Sequence, residues 1–255
     1  MFIPLLTRIR QLFREDGVRE TLTKGLAYAY REGLRPRLPT RRRVAYAGIP
    51  TAIVAKAGDK WVPNRWVPDG VCDIPDYEAA LLGEIDRLVR PGDRVVVVGG
   101  GVGVTATAAA RRAGAEGHVH VFEGGAGGVR AVRQTARLNG VGDHVTVEHA
   151  VVGRAIQVYG RRPAPIVPPT YLPDCDVLEL DCEGAEVDIL REMTARPRVI
   201  IVETHGLYGA STNSVAALLD RIGYDPMVVG LAEPRLAALC EEGDIRVIAA
   251  ERRAP

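Results

Sequence analysis

Residues 94–98 read RVVVV, an apolar run without polar alternation, and comparable runs return at 118–123, 145–151, 176–180, 199–204, 224–229 and 245–251. Short β-branched runs of this kind predict strands, most of them buried on both faces. Helical spacing of apolar residues falls between them, near 102–113, 127–139, 185–193, 214–222 and 233–241. A further helix over 76–90, DYEAALLGEIDRLVR, puts Ala80, Leu81, Ile85 and Leu88 on one face before Pro91-Gly92 stops it. Strands separated by single helices predict an α/β fold: a doubly wound, mostly parallel seven-stranded sheet with ligands at the carboxyl ends of its strands. The last two strands, linked by a short helical segment, can close as an antiparallel pair.

The pattern before residue 76 is different, so two domains are expected, 1–75 and 76–255. Leu5, Ile9, Leu12 and Phe13, then Leu22, Leu26 and Tyr30, recur at three- and four-residue spacing, which predicts two amphipathic helices flanking Gly17. The stretch RRVAYAGIPTAIVAKAGDKWVPNRW predicts a small β-hairpin. Trp61 and Trp66, on either side of Pro63-Asn64, are expected in a local satellite core, with a lid or sugar-stacking platform as the alternative.

Charge sharpens this division. The chain carries a net +1, yet residues 1–43 hold eleven Lys or Arg against four acids, a local +7 that leaves −6 for the rest. The basic helices are expected to pack on the main domain or on a second copy of the chain as a homodimer. The alternative is peripheral contact with an anionic surface such as a membrane face. Nucleic acid is not expected, because the arginines of RPRLPTRRR have no interleaved aromatics. With 47% hydrophobic and 25% charged residues, the 255-residue chain has the composition of a globular protein. Cys72, Cys175, Cys182 and Cys240 form no CxxC pair and read as reduced thiols. Arg8, Arg10 and Arg14 interrupt the first apolar residues, so no secretory core is expected and a cytoplasmic location is.

Candidate chemistry begins directly after the first strand of the large domain, at GGGVG. Two registers fit it: Gly99-x-Gly101-x-Gly103, a nucleoside-type loop, and Gly101-x-Gly103-x-x-Ala106, the dinucleotide pattern. Glu123 ends the next strand, twenty residues past Gly103, where a carboxylate can accept hydrogen bonds from both hydroxyls of a ribose. Both registers want that acid.

The fourth strand continues as DVLELDCEGAE, with Asp181, Glu183, Gly184 and Glu186 in its turn. Here the sequence resembles the FkbM-type S-adenosylmethionine-dependent methyltransferases, whose segment runs D-x-x-K-x-D-x-E-G-x-E. VFEGG at 121–125, ARLNG at 136–140, VEHAVVG at 147–153, VIIVETHG at 199–206 and LLDRIGY at 218–224 agree with it. The resemblance spans about residues 76–255. It implies a class I methyltransferase, Rossmann-like, with S-adenosylmethionine as cofactor. Gly99, Gly101 and Gly103 would cradle the methionine part, Glu123 the ribose, His149 and Ala150 the adenine, and Asp181 would face the methyl-transfer site. The implied acceptor is a small molecule or glycan, methylated on a hydroxyl of a sugar or natural product. Val97 departs from the pattern, standing where many members have an Asp that anchors the cofactor's amino group, and Glu179 replaces a Lys.

Methyl transfer to a hydroxyl needs a proton acceptor beside the cofactor. His205 follows a central strand, with Glu203 two residues earlier on the same face, and is expected to be the base, oriented by Glu203 or Asp181. Glu183 and Glu186 suit the first turn of a helix. A divalent ion on Asp181, Glu203 and His205 is chemically permissible, but no diagnostic spacing marks it and no metal is expected. The alternatives are an NAD-dependent oxidoreductase, which lacks a Tyr-x-x-x-Lys pair here, and a nucleotide-binding scaffold that keeps the fold without the chemistry.

Overall fold

The computed structural model describes residues 17–59, 73–154 and 164–254. The chain divides into two compact units, 1–44 with 53–72 and 45–52 with 73–255. The expected helix through Leu5, Ile9, Leu12 and Phe13, and the pair Trp61 and Trp66, lie outside the described residues. Among the described residues no helix is long and apolar enough to cross a membrane.

In the smaller unit, helix α1 (Gly17–Ala29) leaves Leu22 and Leu26 exposed, while Tyr30 just beyond it is buried. The organising group is the buried carboxylate of Asp59. It accepts from Tyr30 Oη at 2.9 Å, from Arg35 Nε at 2.7 Å and from the Lys56 amide at 2.7 Å. Burial works against the ionised form, but Arg35 and these bonds outweigh it and hold the Asp59 carboxyl below its usual range.

Strands β1 (Thr40–Tyr46) and β2 (Ile49–Lys56) form the expected hairpin. Its two-residue turn, Ala47-Gly48, has φ of +48° and +71°, the left-handed pair that matches strand twist. In the larger unit the end of β1 pairs in parallel with β3 (Asp73–Ile74), and helix α2 (Ala79–Leu88) buries Leu81, Ile85 and Leu88.

The chain continues through β4 (Arg94–Val98), α3 (Val104–Ala113), β5 (His118–Phe122), α4 (Ala126–Leu138), β6 (Val145–Glu148), and the short pair β7 (Val151–Val152) with β8 (Ile166–Val167). Then come β9 (Val177–Leu180), α5 (Glu186–Glu192), β10 (Val199–Glu203), α6 (Thr212–Arg221), β11 (Tyr224–Leu231), α7 (Ala237–Gly243) and β12 (Arg246–Arg252). The sheet order is β6-β5-β4-β9-β10-β12-β11, with β12 antiparallel to both neighbours and the other pairings parallel. The expected seven-stranded, mostly parallel sheet is therefore present, and its last two strands close as an antiparallel pair. Apolar side chains fill both faces: Val95, Val97, Val177 and Ile201 meet α2, α3 and α4, while Val96, Leu178, Ile200 and Ile248 meet α5 and α6. This two-sided burial is why the strands read as unbroken apolar runs.

One strand departs from expectation. The run 145–151 leaves the large sheet after Glu148, and Val151 and Val152 pair instead with Ile166 and Val167. The break frees His149 and Ala150 from the ladder.

From β4 the chain winds outward through β5 and β6, then returns to the other side of β4 with β9, so the strand order reverses between them. At this switch point the amide of Asp181 bonds the Val98 carbonyl at 2.9 Å, and that of Gly99 bonds the Phe122 carbonyl at 2.9 Å. Gly99 has φ +102°, and a Cβ there would run into the carbonyl of Asp181. Gly101 has φ +51° with open space around its missing Cβ. Gly99→Ala is therefore expected to lose about 3 kcal/mol or more of stability, from strain plus the clash. Gly101→Ala should lose only about 1–2 kcal/mol from backbone strain. Urea denaturation of both variants checks the order.

Candidate active site

A cleft of about 150 Å³, open to solvent, lies at the carboxyl ends of β4, β5 and β9. Gly99, Gly101, Phe122, Glu123, Ala150 and Asp181 line it, with Arg154 at its edge. Five of the expected site residues thus share one cavity. Gly103 caps α3 rather than lining the cleft: with φ +88°, its missing Cβ would lie 2.8 Å from the Val132 backbone, so it lets α3 sit close to α4. His149 stands beside the cleft, its Nε2 paired with the Gly124 carbonyl at 3.1 Å.

Glu123 ties the glycine loop together. Its carboxylate accepts from the Gly101 amide at 3.0 Å and from the Gly125 amide. Burial pushes its pKa above the ordinary glutamate value, against the pull of those amides. Gly128 is needed because a Cβ there would lie 2.6 Å from the Glu123 side chain.

Behind the glycine loop, acids gather at the strand ends. His205, 5% exposed, presents Nδ1 to Glu186 Oε1 at 2.8 Å. Its Nε2 faces Asp181 Oδ1 at 3.6 Å and Glu203 Oε1 at 3.7 Å. The three residues expected to carry the chemistry are together, but the closest partner of His205 is Glu186. The same Glu186 oxygen accepts the amides of Cys182 and Gly184, each at 3.2 Å, which holds the turn between β9 and α5. Burial disfavours charge on His205, yet the Glu186 hydrogen bond and the Asp181 and Glu186 charges outweigh it and hold its pKa at about 9. Asp181 is pushed up to about 6, by burial first and against the pull of His205. Burial raises Glu203 as well, reinforced by Asp181, Glu78 and Glu179.

Two acids of this cluster are not among the expected site residues. Glu179 is 1% exposed, and both its carboxyl oxygens lack a hydrogen-bond partner. It stands directly opposite Val97 on the neighbouring strand, so the two side chains share one face of the sheet. Its signal in the sequence is a lone charge inside the apolar VLEL of a doubly buried strand. Glu78, at φ +46° just before α2, is raised to about 8 by burial and by Asp181. Nothing local in the sequence marks it. Arg154 is paired with Asp188 at 2.7 Å.

No protein-family model matches the chain, and no curated protein does. Solved structures similar to it include a precorrin-6y C5,15-methyltransferase from Geobacter metallireducens, at 15% identity over 70% of this chain and 90% of that one, TM-score 0.49. Another is the O-methyltransferase TomG of Streptomyces achromogenes, involved in tomaymycin synthesis and solved with S-adenosylmethionine, at 15% identity over 73% and 83%, TM-score 0.44. A geranyl diphosphate methyltransferase solved with the same cofactor is similar at 17% identity over 69% and 85%, TM-score 0.47.

Because one oxygen of Glu186 serves His205 and two backbone amides, Glu186→Ala strands three donors, two of them buried. The expected loss is about 2–4 kcal/mol, with a smaller loss for Glu186→Gln, whose amide oxygen can still accept. Equilibrium denaturation in urea measures both.

Proposed function

We propose that the protein is an S-adenosylmethionine-dependent methyltransferase that acts on a hydroxyl of a sugar, glycan or natural-product acceptor. The observation that carries this reading is the charge of the cleft. Its first half offers the glycine loop and Glu123, suited to a nucleoside; its second half, after β9, offers Asp181 and Glu183. A dinucleotide would set its second phosphate-bearing half against those acids, whereas a sulfonium cofactor brings positive charge to them. The Gly99-x-Gly101-x-Gly103 register is preferred for that reason.

In this reading Glu123 exchanges its amide partners for ribose hydroxyls, Ala150 and His149 flank the adenine, and the glycine loop takes the methionine part. The acid absent at Val97 is supplied from one strand over by Glu179, which ionises as the cofactor's ammonium arrives. The acceptor oxygen attacks the methyl carbon, the methyl–sulfur bond breaks with its electron pair going to sulfur, and the hydroxyl proton passes to the Asp181–Glu203–His205 group. Asp181, the most exposed of the three, is its receiving group, since the imidazole of His205, with a pKa raised to about 9, already carries a proton on each nitrogen. Exposed Leu207 and Tyr208, two and three residues after His205, give the acceptor side an apolar rim.

Calorimetric titration should find saturable S-adenosylmethionine binding and none of NAD; binding of NAD alone would sink the reading, and binding of neither would favour a scaffold. Glu123→Gln is expected to weaken the cofactor about tenfold, near 1.4 kcal/mol. Since the ionised carboxylate is the acceptor for ribose, wild-type affinity should fall on acidification through the raised pKa of Glu123, above 4.5, and the variant should lack that step. Glu179→Gln should weaken S-adenosylmethionine while sparing 5′-methylthioadenosine, which has no ammonium; equal loss for both ligands would remove the anchoring role.

A further inference from the structure

We infer that Asp181, Glu203 and His205 form a site for one divalent cation of the Mn²⁺ or Mg²⁺ class on the acceptor side of the cleft. Each comes from the end of a central strand: Asp181 directly after β9, Glu203 at the end of β10, and His205 two residues on. Their ligand atoms all lie within 4.8 Å of one another. Nε2 stands 3.6 Å from Asp181 Oδ1 and 3.7 Å from Glu203 Oε1, beyond a hydrogen bond. Such spacing suits an ion between them, about 2.0–2.4 Å from each donor.

Two further observations point the same way. The 2.8 Å bond from Nδ1 to Glu186 fixes the imidazole so that Nε2 turns toward the two carboxylates. A histidine held from behind by a buried carboxylate is the usual support of a metal-binding imidazole. Independently, the buried Glu203 Oε2 and both oxygens of Glu179 have no hydrogen-bond partner. Glu179, 1% exposed, lies on the same face of the sheet as Asp181 and Glu203, so three carboxyl groups meet around one imidazole, and a divalent ion there would stabilise their ionised forms. Two carboxylate oxygens with one imidazole and no thiolate favour Mn²⁺ or Mg²⁺. The side chain of Asp181 is 25% exposed, which leaves the ion open toward the cleft.

What the ion does rests on the methyltransferase reading; that it binds does not. Open coordination positions would take the acceptor's hydroxyl oxygen and hold it against the methyl group. With Nε2 a ligand, the ion's charge draws off the hydroxyl proton, which leaves to water on the open side of the cleft.

Chelator-treated full-length protein titrated with MnCl₂, with free Mn²⁺ followed by electron paramagnetic resonance, tests the site without cofactor. One Mn²⁺ per chain is expected, displaced by excess Mg²⁺. Asp181→Asn and Glu203→Gln should each weaken binding at least about tenfold, with melting in chelator monitored to establish that both variants fold. A wild-type chain that takes up no Mn²⁺, or affinity that survives both substitutions, overturns the proposal; the wild-type titration decides even where a variant fails to fold. S-adenosylmethionine titrated into the same chelated sample separates the two readings, since either ligand can bind without the other.

Discussion

The site depends on the close approach of two backbone segments at the centre of the sheet. Gly99 directly follows β4 and Asp181 directly follows β9, and the missing side chain of Gly99 is what lets the Asp181 carbonyl lie against it. That contact sets the glycine loop and the acid-rich turn side by side, one from each half of the winding. Loop and acids are far apart in sequence, and only the reversal of strand order between β4 and β9 makes them neighbours. A larger residue at 99 would force them apart and divide the cleft.

Charge is the second constraint. A buried carboxylate is costly without a partner, yet Glu78, Glu179, Asp181 and Glu203 share one region of the larger unit with a single imidazole. The structure responds by raising the pKa of each acid, so that part of the cluster is neutral, and by raising that of His205, so that the imidazole holds a proton. A fold selected only for stability has little reason to keep such a group together, since apolar side chains of similar size would pack there without penalty. Perturbed titrating groups beside a cleft are instead what a site for a cation or a proton transfer requires.

Much of this was legible in the sequence, and what escaped it did so for one physical reason. Doubly buried strands announce themselves as Val and Ile runs, and the turns after β4 and β9 carry glycines and acids that few other settings need. The pairing of Val97 with Glu179 is different in kind. Each looks like an isolated departure until the strand order and register put them opposite one another. The same holds for Glu186, which reads as an acid in the first turn of a helix until β10 brings His205 to it. The strand expected over 145–151 breaks because residues 149–150 turn toward the cleft, a demand of the site that local β propensity cannot express.

Glu186 is where fold and site become one problem. The turn it secures carries Glu183 at φ +56° and Gly184 at φ +106°, a conformation that a non-glycine residue adopts only when held. Its oxygen Oε1 holds that turn through two amides and fixes the ring of His205 from behind. The direction of Nε2 is therefore coupled to the backbone that positions Asp181, so relaxing the turn would also turn the imidazole away from its two carboxylates. A site built this way is rigid because its second layer is also part of the fold, and its geometry should persist whether the positive charge between the carboxylates is a proton or a metal ion.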